Sequence, residues 1–577
     1  MTFLVLLGAW QHLYFSWHVG EIVFFKNAYD EDSYALFSFL QTSVRLDRML
    51  STLLIKAIRA TAGGSFDAGF IIADTILPAL AFLASYFLTT RLFRKVEIRV
   101  FWALIILFAP DLFSLGNSLS ITSDFLPLTS FKSLFGALGE TLVPPIDTSY
   151  LNIFRTFEPQ LAYVVGFTFA ALLIRFTLGE AFTWSKVGFL AAAQFLLLLS
   201  YSIIGYPLLL LELYAALILL VVGSARKGFI LVSLFVISLV IVVLSASVTL
   251  NNQNLTFSSR LPTISTSVLG SVLLCLLILL SLWRRKFEDR TLWLALGIAG
   301  MPLLLMNQQI VTGLMVSTKE WERYINHPLL AIGFAVFWSS FSAKQSNKWS
   351  RHAAIIASGA ILVFAFDTSR RQLGAWMSTN TDSLAMARAI NVASSRLSPN
   401  VRLILANPSL APLIAVRRGG KRGFLVDYTD VFLDPVPSFD LTNFKVLEYG
   451  FRVFEYWKLS GTTPIDAERL LRKEAAGRTG YYSAFFFNIC DYWYPCSDNR
   501  AVKTELIQQL IAVVINRYRE FLSSATPEPS TRYLLVTTER DPGSFHHSFN
   551  PIPVASGSAG DTKAYVFEQK SKAAELK

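Results

Sequence analysis

Charge is scarce in this sequence: Asp, Glu, Lys and Arg make up 16% of its 577 residues, against about 25% in an ordinary soluble domain. A chain with so little charge and a mean hydropathy of +0.48 is not a soluble enzyme, a disordered scaffold or a coiled coil. Cysteine is scarcer still, at three residues, which excludes a zinc framework and a disulfide-dense scaffold. No P-loop, glycine-rich dinucleotide fingerprint or H-E-x-x-H occurs, which argues against a nucleotide-driven pump and a membrane zinc protease. Internal repeats and low-complexity tracts are also missing, and the terminal SKAAELK is not the hydrophobic tail of a GPI signal. What is present is 53% hydrophobic residues, 14% of the chain being aromatic. The expected fold class is a polytopic α-helical membrane protein whose function is carried by its loops.

Apolar runs long enough to cross about 30 Å of hydrocarbon occupy roughly 1–19, 69–90, 100–116, 160–178, 187–204, 206–223, 228–249, 265–283, 291–306, 327–342 and 352–366, eleven candidate spans in all. The net charge of +11 is distributed between these runs, so it reads as a topology signal rather than a nucleic-acid surface. Arg91, Arg94, Lys95 and Arg99 form one cluster. Lys186 follows, then Arg226 and Lys227, then Arg284, Arg285, Lys286 and Arg290, then Lys344, Lys348 and Arg351. By the positive-inside rule these five loops are cytoplasmic. The segments at about 20–68, 117–159, 205, 250–264 and 307–326, and everything after 366, then face the other side. The first run lacks a basic start and a small-residue cleavage site and is read as a retained span.

From 367 onward the texture is globular. Val401–Ala406, Gly423–Asp427 and Tyr533–Thr538 read as buried strands. Val502–Ser523, with Leu506, Leu510, Val513, Val514 and Tyr518 on one face, reads as an amphipathic helix. The expected division is therefore a membrane domain over 1–366 and an extracytoplasmic α/β domain over 367–577. Cys490 and Cys496 lie in the latter, either paired in a non-reducing compartment or as two thiols; Cys275 lies in a span.

Ala28–Phe37, AYDEDSYALF, places Asp30, Glu31 and Asp32 between aromatics just beyond the first span. Carboxylates at a membrane surface gain nothing from lipid and need water, a cation or a function. Helix capping by Asp30, Asp32 or Ser33 is one such function, and it is compatible with proton abstraction. Through Ser33–Ala62, Leu46, Met49, Leu50, Leu53, Leu54, Ala57 and Ile58 recur at helical spacing, with Arg45, Asp47, Arg48, Ser51, Lys56 and Arg59 opposite. That pattern predicts a helix lying in the membrane interface.

An acidic motif in the first outer loop, an interfacial helix after it, the number of spans and a soluble domain on the same side together resemble the GT-C class of integral membrane glycosyltransferases. The similarity is greatest to bacterial members that use polyprenyl-phosphate sugars, in which an Asp-Glu followed three residues later by Tyr maps onto Asp30, Glu31 and Tyr34. The resemblance implies inverting sugar transfer to a glycan, lipid or protein acceptor, with a loop carboxylate as base or acceptor-positioning group. It also implies a bacterial inner membrane, with the site on the extracytoplasmic face. A divalent cation such as Mg or Mn is open, because three carboxylates can bind one, although a lipid-monophosphate donor does not require it.

Two further outer segments supply candidates. In Tyr150–Ala162, Arg155 offers a bidentate phosphate contact, Glu158 a second carboxylate and Gln160 a polar group, with Asp147 upstream. The alternatives are interfacial snorkelling for Arg155 and a Pro-led helix start at Glu158-Pro159. In Asn307–Pro328, the amides Asn307, Gln308 and Gln309 are costly at bilayer depth unless they line a wet cleft. Lys319, Arg323 and His327 follow, and Arg323 and His327 suit a leaving phosphate; the alternative is a basic loop touching headgroups. His12, His18 and the His546-His547 pair read as packing or surface residues, Asp111 and Asp124 are not positioned by the sequence, and Asn254-Leu-Thr is a sequon by pattern only.

The expected activity is therefore transfer of a sugar from a polyprenyl-phosphate donor. The rivals are a flippase or transporter for lipid-linked saccharide, a polysaccharide polymerase or ligase, and a non-catalytic scaffold. A transporter predicts charged residues within spans near the midplane, and the spans are read as holding almost none.

Overall fold

The computed structural model describes residues 1–26, 49–61, 66–113, 151, 153, 159–179, 182–222, 224–249, 256–257, 265–308, 310, 314–315, 321–342, 348–396, 401–418, 423–426, 444–477, 500–524 and 532–570. The chain divides into two compact units. The first comprises Met1–Gln11, Ser43–Thr61 and Gly69–Gly374, the second His12–Thr42, Ala62–Ala68 and Ala375–Lys577. The second unit thus takes two N-terminal pieces as well as the C-terminal part of the chain.

Every one of the eleven apolar runs coincides with a helix: α1 (Thr2–Val19), α3 (Phe66–Leu92), α4 (Val96–Phe113), α5 (Gln160–Leu178), α6 (Trp184–Leu198), α7 (Ser202–Val222), α8 (Ala225–Thr249), α9 (Thr266–Arg284), α10 (Arg290–Met306), α11 (His327–Ser342) and α12 (Lys348–Val392). Among the described residues, six helices are long and apolar enough to cross a membrane. Apolar residues on all sides of a helix need lipid or neighbouring helices around them. Accordingly α9 buries Leu274, Ile278 and Leu282 while Leu273, Leu276 and Leu280 stay outside. Where helices approach closely, small residues make room. A Cβ on Gly8 of α1 would lie 2.2 Å from the Asp74 carbonyl oxygen of α3.

Contacts between helix ends sort them into two faces of the first unit. At one, Arg91 of α3 donates to the Leu178 carbonyl, Arg285 of α9 to the Ser340 carbonyl, and Arg351 of α12 pairs with Glu97 of α4. At the other, the short strands β1 (Thr256–Phe257) and β2 (Leu314–Met315) pair antiparallel, joining the segments after α8 and α10. Arg91, Arg285 and Arg351 therefore gather at one face of the unit.

Of the interfacial helix, α2 (Met49–Thr61) is described, and Leu50 N–H donates to the Leu199 carbonyl at 2.8 Å. Its faces differ from the expected pattern: Ser51, Thr52 and Ile55 are buried, while Leu53 is exposed. The buried hydroxyls face protein, which leaves an apolar side chain outward, the arrangement that suits lipid rather than water.

The second unit holds a mixed sheet of order β3 (Val401–Leu405), β4 (Arg532–Thr537), β6 (Thr562–Glu568), β5 (Ala555–Ala559). β3 and β4 are parallel and the other pairings antiparallel. Of the expected strand Gly423–Asp427, residues 423–426 are described, and they add one parallel bridge, Leu403 to Phe424. The hairpin β5–β6 turns on Gly560 and Asp561, Gly560 taking φ +52, as a two-residue turn requires. α13 (Ala411–Arg417), α14 (Phe444–Leu459), α15 (Pro464–Gly477) and α16 (Arg500–Ser524) complete the unit. α16 buries Ile511, Val514, Ile515 and Tyr518 against Trp457 and Leu535, and Val513, expected on that face, is exposed.

Candidate functional site

Asp30, Glu31, Asp32, Tyr34, Arg155, Glu158 and Lys319 lie outside the described residues, as do Gln309, Cys490 and Cys496. Of Arg323 the backbone alone is described.

In the first unit, Gln160 opens α5 fully buried, and its Nε2 donates to Asp74 Oδ1 of α3 at 2.9 Å. One turn further along α5, Tyr163 OH donates to the Tyr324 carbonyl at 2.8 Å, and the Tyr201 ring meets Tyr324 edge-on. Tyr324 belongs to a π-helical turn, Glu322–Asn326, leading directly into α11. The wider winding of a π turn, i to i+5, brings His327 over Glu322, which an α-helix would turn to different faces.

Glu322 is the centre of this end. Its Oε1 accepts from Ser267 N–H at 3.0 Å and Thr266 Oγ1 at 3.1 Å, and its Oε2 accepts from Asn326 Nδ2 at 3.0 Å and from Ser267 Oγ. His327 Nε2 stands 3.4 Å from Oε1. Ser267 lies in the first turn of α9, so the carboxylate also meets the positive end of that helix. Burial alone would raise the Glu322 carboxyl, but His327, Asn326 and Ser267 outweigh it and hold it down to about 2. His327, expected to face a lipid phosphate, is 1% exposed and its imidazole is turned inward onto Glu322. Asn307 caps α10 and donates to the Leu303 carbonyl at 3.1 Å; Gln308 beside it is half-buried. Gln160 and His327 thus sit in separate polar clusters, Gln160 with Asp74 and His327 with Glu322, and the Tyr163–Tyr324 bond ties α5 to the π turn between them.

A buried acid also lies within a span. Glu212, near the middle of α7, is fully buried and accepts from Gln194 Nε2 of α6 at 2.6 Å. This corrects the expectation that the spans hold almost no such residue.

In the second unit the notable feature is the strap Val23–Lys26, the extended segment that precedes the acidic triplet in sequence. Outside a sheet its backbone has no strand partner, and buried amides demand one. Side chains supply it. Val23 N–H donates to Ser16 Oγ (3.0 Å), Phe24 N–H to Asp67 Oδ1 (2.9 Å), Phe25 N–H to His12 Nδ1 (3.0 Å) and Lys26 N–H to Asn380 Oδ1 (2.8 Å). Asn380 Nδ2 returns a bond to the Lys26 carbonyl at 3.2 Å, and Arg417 donates to the Phe24 carbonyl at 3.1 Å and to Asn380 Oδ1 at 2.8 Å. The Lys26 ammonium lies 4.8 Å from the Trp376 ring centre. Burial lowers the Arg417 guanidinium to about 10, Asp67 and Glu21 restoring part of the shift and Arg388 opposing them. His12 therefore serves as a backbone ligand, a role its place in an apolar run does not reveal.

Among the described residues no group of three or more His, Cys, Asp or Glu gathers as metal ligands. No protein-family model matches the chain, and no curated protein matches it in sequence.

Proposed function

We propose that the protein is a membrane glycosyltransferase of GT-C type that takes a polyprenyl-phosphate-linked sugar and transfers it, with inversion, to a glycan, lipid or protein acceptor. The observation that carries this reading is the strap: its backbone is pinned by four side chains through Lys26, and Asp30 follows four residues later, within about 14 Å of chain. A tethered carboxylate is what acceptor deprotonation asks for. Asp30 is the base in this proposal, Glu31 and Asp32 assist, and Tyr34 contacts the sugar. Arg155 and Arg323 hold the donor phosphate, with Glu158, Asn307 and Gln308 lining the cleft, while Gln160, fully buried on Asp74, positions the start of α5. His327 acts through Glu322 rather than on the phosphate.

The test is sugar transfer from polyprenyl-phosphate donors by the purified protein. Asp30→Asn is expected to lower the rate by at least about 100-fold, and Glu31→Gln by less. Full activity in both removes these roles. A second reading, a flippase for lipid-linked saccharide, is favoured by Glu212 and Asp74, since buried acids in spans mark transport pathways. Labelled lipid crossing reconstituted vesicles with no donor consumed decides for it.

A further inference from the structure

At the basic face of the first unit, two cations donate to carbonyls at the end of α5, and two more stand nearby, Arg175 in its last turn and Arg226 over the aromatic rings that follow it. Arg91 Nη2 donates to the Leu178 carbonyl at 3.3 Å, and Lys227 Nζ to the Phe176 carbonyl at 3.3 Å and to that of Gly179. Arg175 donates to the Phe87 carbonyl at 3.2 Å with its guanidinium 3.8 Å from the Phe87 ring centre. Arg226 lies 4.4 Å from the ring centre of Phe182 and 5.9 Å from that of Trp184.

The simplest account is that these groups cap α5 and offset its dipole. Magnitude argues against that as the whole account. A helix C-terminus carries about half a negative charge, and four full positive charges stand around it. None of the described ion pairs includes Arg91, Arg175 or Arg226. Glu180, which follows in sequence outside the described residues, supplies at most one more negative charge. Setting Lys227 aside, Arg91, Arg175 and Arg226 still exceed the helix end and Glu180 by more than one positive charge, beside a Trp184 that is 68% exposed. Exposed tryptophan marks the level of lipid headgroups, and basic pockets between helices at that level take anionic headgroups.

We propose that the basic ends of α3, α5 and α8 form a binding site for the phosphate headgroup of an anionic membrane lipid, with Arg91 and Arg226 as headgroup ligands and Trp184 at the acyl boundary. Lys227, buried on two carbonyls, holds α8 to α5 and so fixes the distance between the two arginines.

The full-length protein is to be reconstituted in nanodiscs of phosphatidylcholine alone or with added phosphatidylglycerol, and its thermal unfolding and lipid retention by native mass spectrometry followed. Phosphatidylglycerol is expected to raise Tm and to co-purify. Each of Arg91→Gln and Arg226→Gln is expected to weaken it about five-fold. Arg226→Ala, at an exposed position, serves if Arg91→Gln does not fold. Arg351→Gln, which breaks an existing pair with Glu97, is expected to leave retention unchanged. Equal response to the two lipids overturns the site. An equal loss in Arg351→Gln overturns it in favour of diffuse surface charge, and equal stabilisation by inorganic phosphate overturns the lipid in favour of a free anion.

Discussion

Glu322 and Arg417 are both buried charges, one in each unit, and their surroundings are opposite in kind. Around Glu322 stand donors from two helices and a histidine, enough to hold the carboxyl down to about 2 despite burial. Around Arg417 stand carbonyls, an amide and a hydroxyl, with Asp67 and Glu21 as the acids that counter its burial, and the guanidinium falls to about 10. The carboxylate is therefore more than compensated and the guanidinium less so. A fully compensated charge joins the elements it touches, here α9, the π turn and α11. An undercompensated one costs stability and marks a place where something else is required, here the pinning of a strap that has no strand beside it.

Three changes break or sharpen this contrast. Glu322→Ala leaves Ser267, Asn326 and His327 without their acceptor and is expected to cost about 3–5 kcal/mol, read as loss of the first unit's cooperative unfolding by heat. Arg417→Met removes an undercompensated charge while orphaning the Phe24 carbonyl, so the expected cost is smaller, about 1–2 kcal/mol. Hydrogen exchange at Phe25 and Lys26 should rise with it. A cost equal to that of Glu322→Ala would erase the difference between the two sites.

The smallest effect is that of pH on Glu322. Its folded value is lowered, to about 2, from about 4.3 in the unfolded chain. Its contribution is thus fully present above the unfolded value and is lost as pH falls through the folded one. Between pH 7 and pH 4 the loss is less than about 1 kcal/mol, and Glu322→Gln should abolish that slope, as measured by denaturant midpoints.

Helix positions were legible because a run of some 20 apolar residues has few other solutions in a membrane; all eleven runs became helices. β3 and β4 were legible for a similar reason, being short apolar runs bounded by turn residues. β5, ASGSA, is built of Gly, Ser and Ala and carries no apolar pattern, whereas β6, TKAYVFE, holds Tyr565, Val566 and Phe567 after the Gly560-Asp561 turn. Site residues were harder. Arg323 and His327 stand out in the sequence as cations and Glu322 does not, because its link to His327 depends on a π turn that α-helical spacing does not anticipate. The strap was illegible for another reason: Lys26 meets Asn380 across a sequence separation of 354 residues, and no local pattern in either segment announces the other.

That separation also sets an order of events during synthesis. Ribosomes add about 5–20 residues per second, so Lys26 leaves the ribosome roughly 20–70 s before Asn380 exists, and Arg417 comes later still. Throughout that interval the strap's amides have only Ser16, His12 and, once made, Asp67 to meet. The strap is therefore translated well before two of the residues that secure it, and a chain ending before Asn380 carries Val23–Lys26 with the Lys26 amide and the Phe24 carbonyl still without those partners.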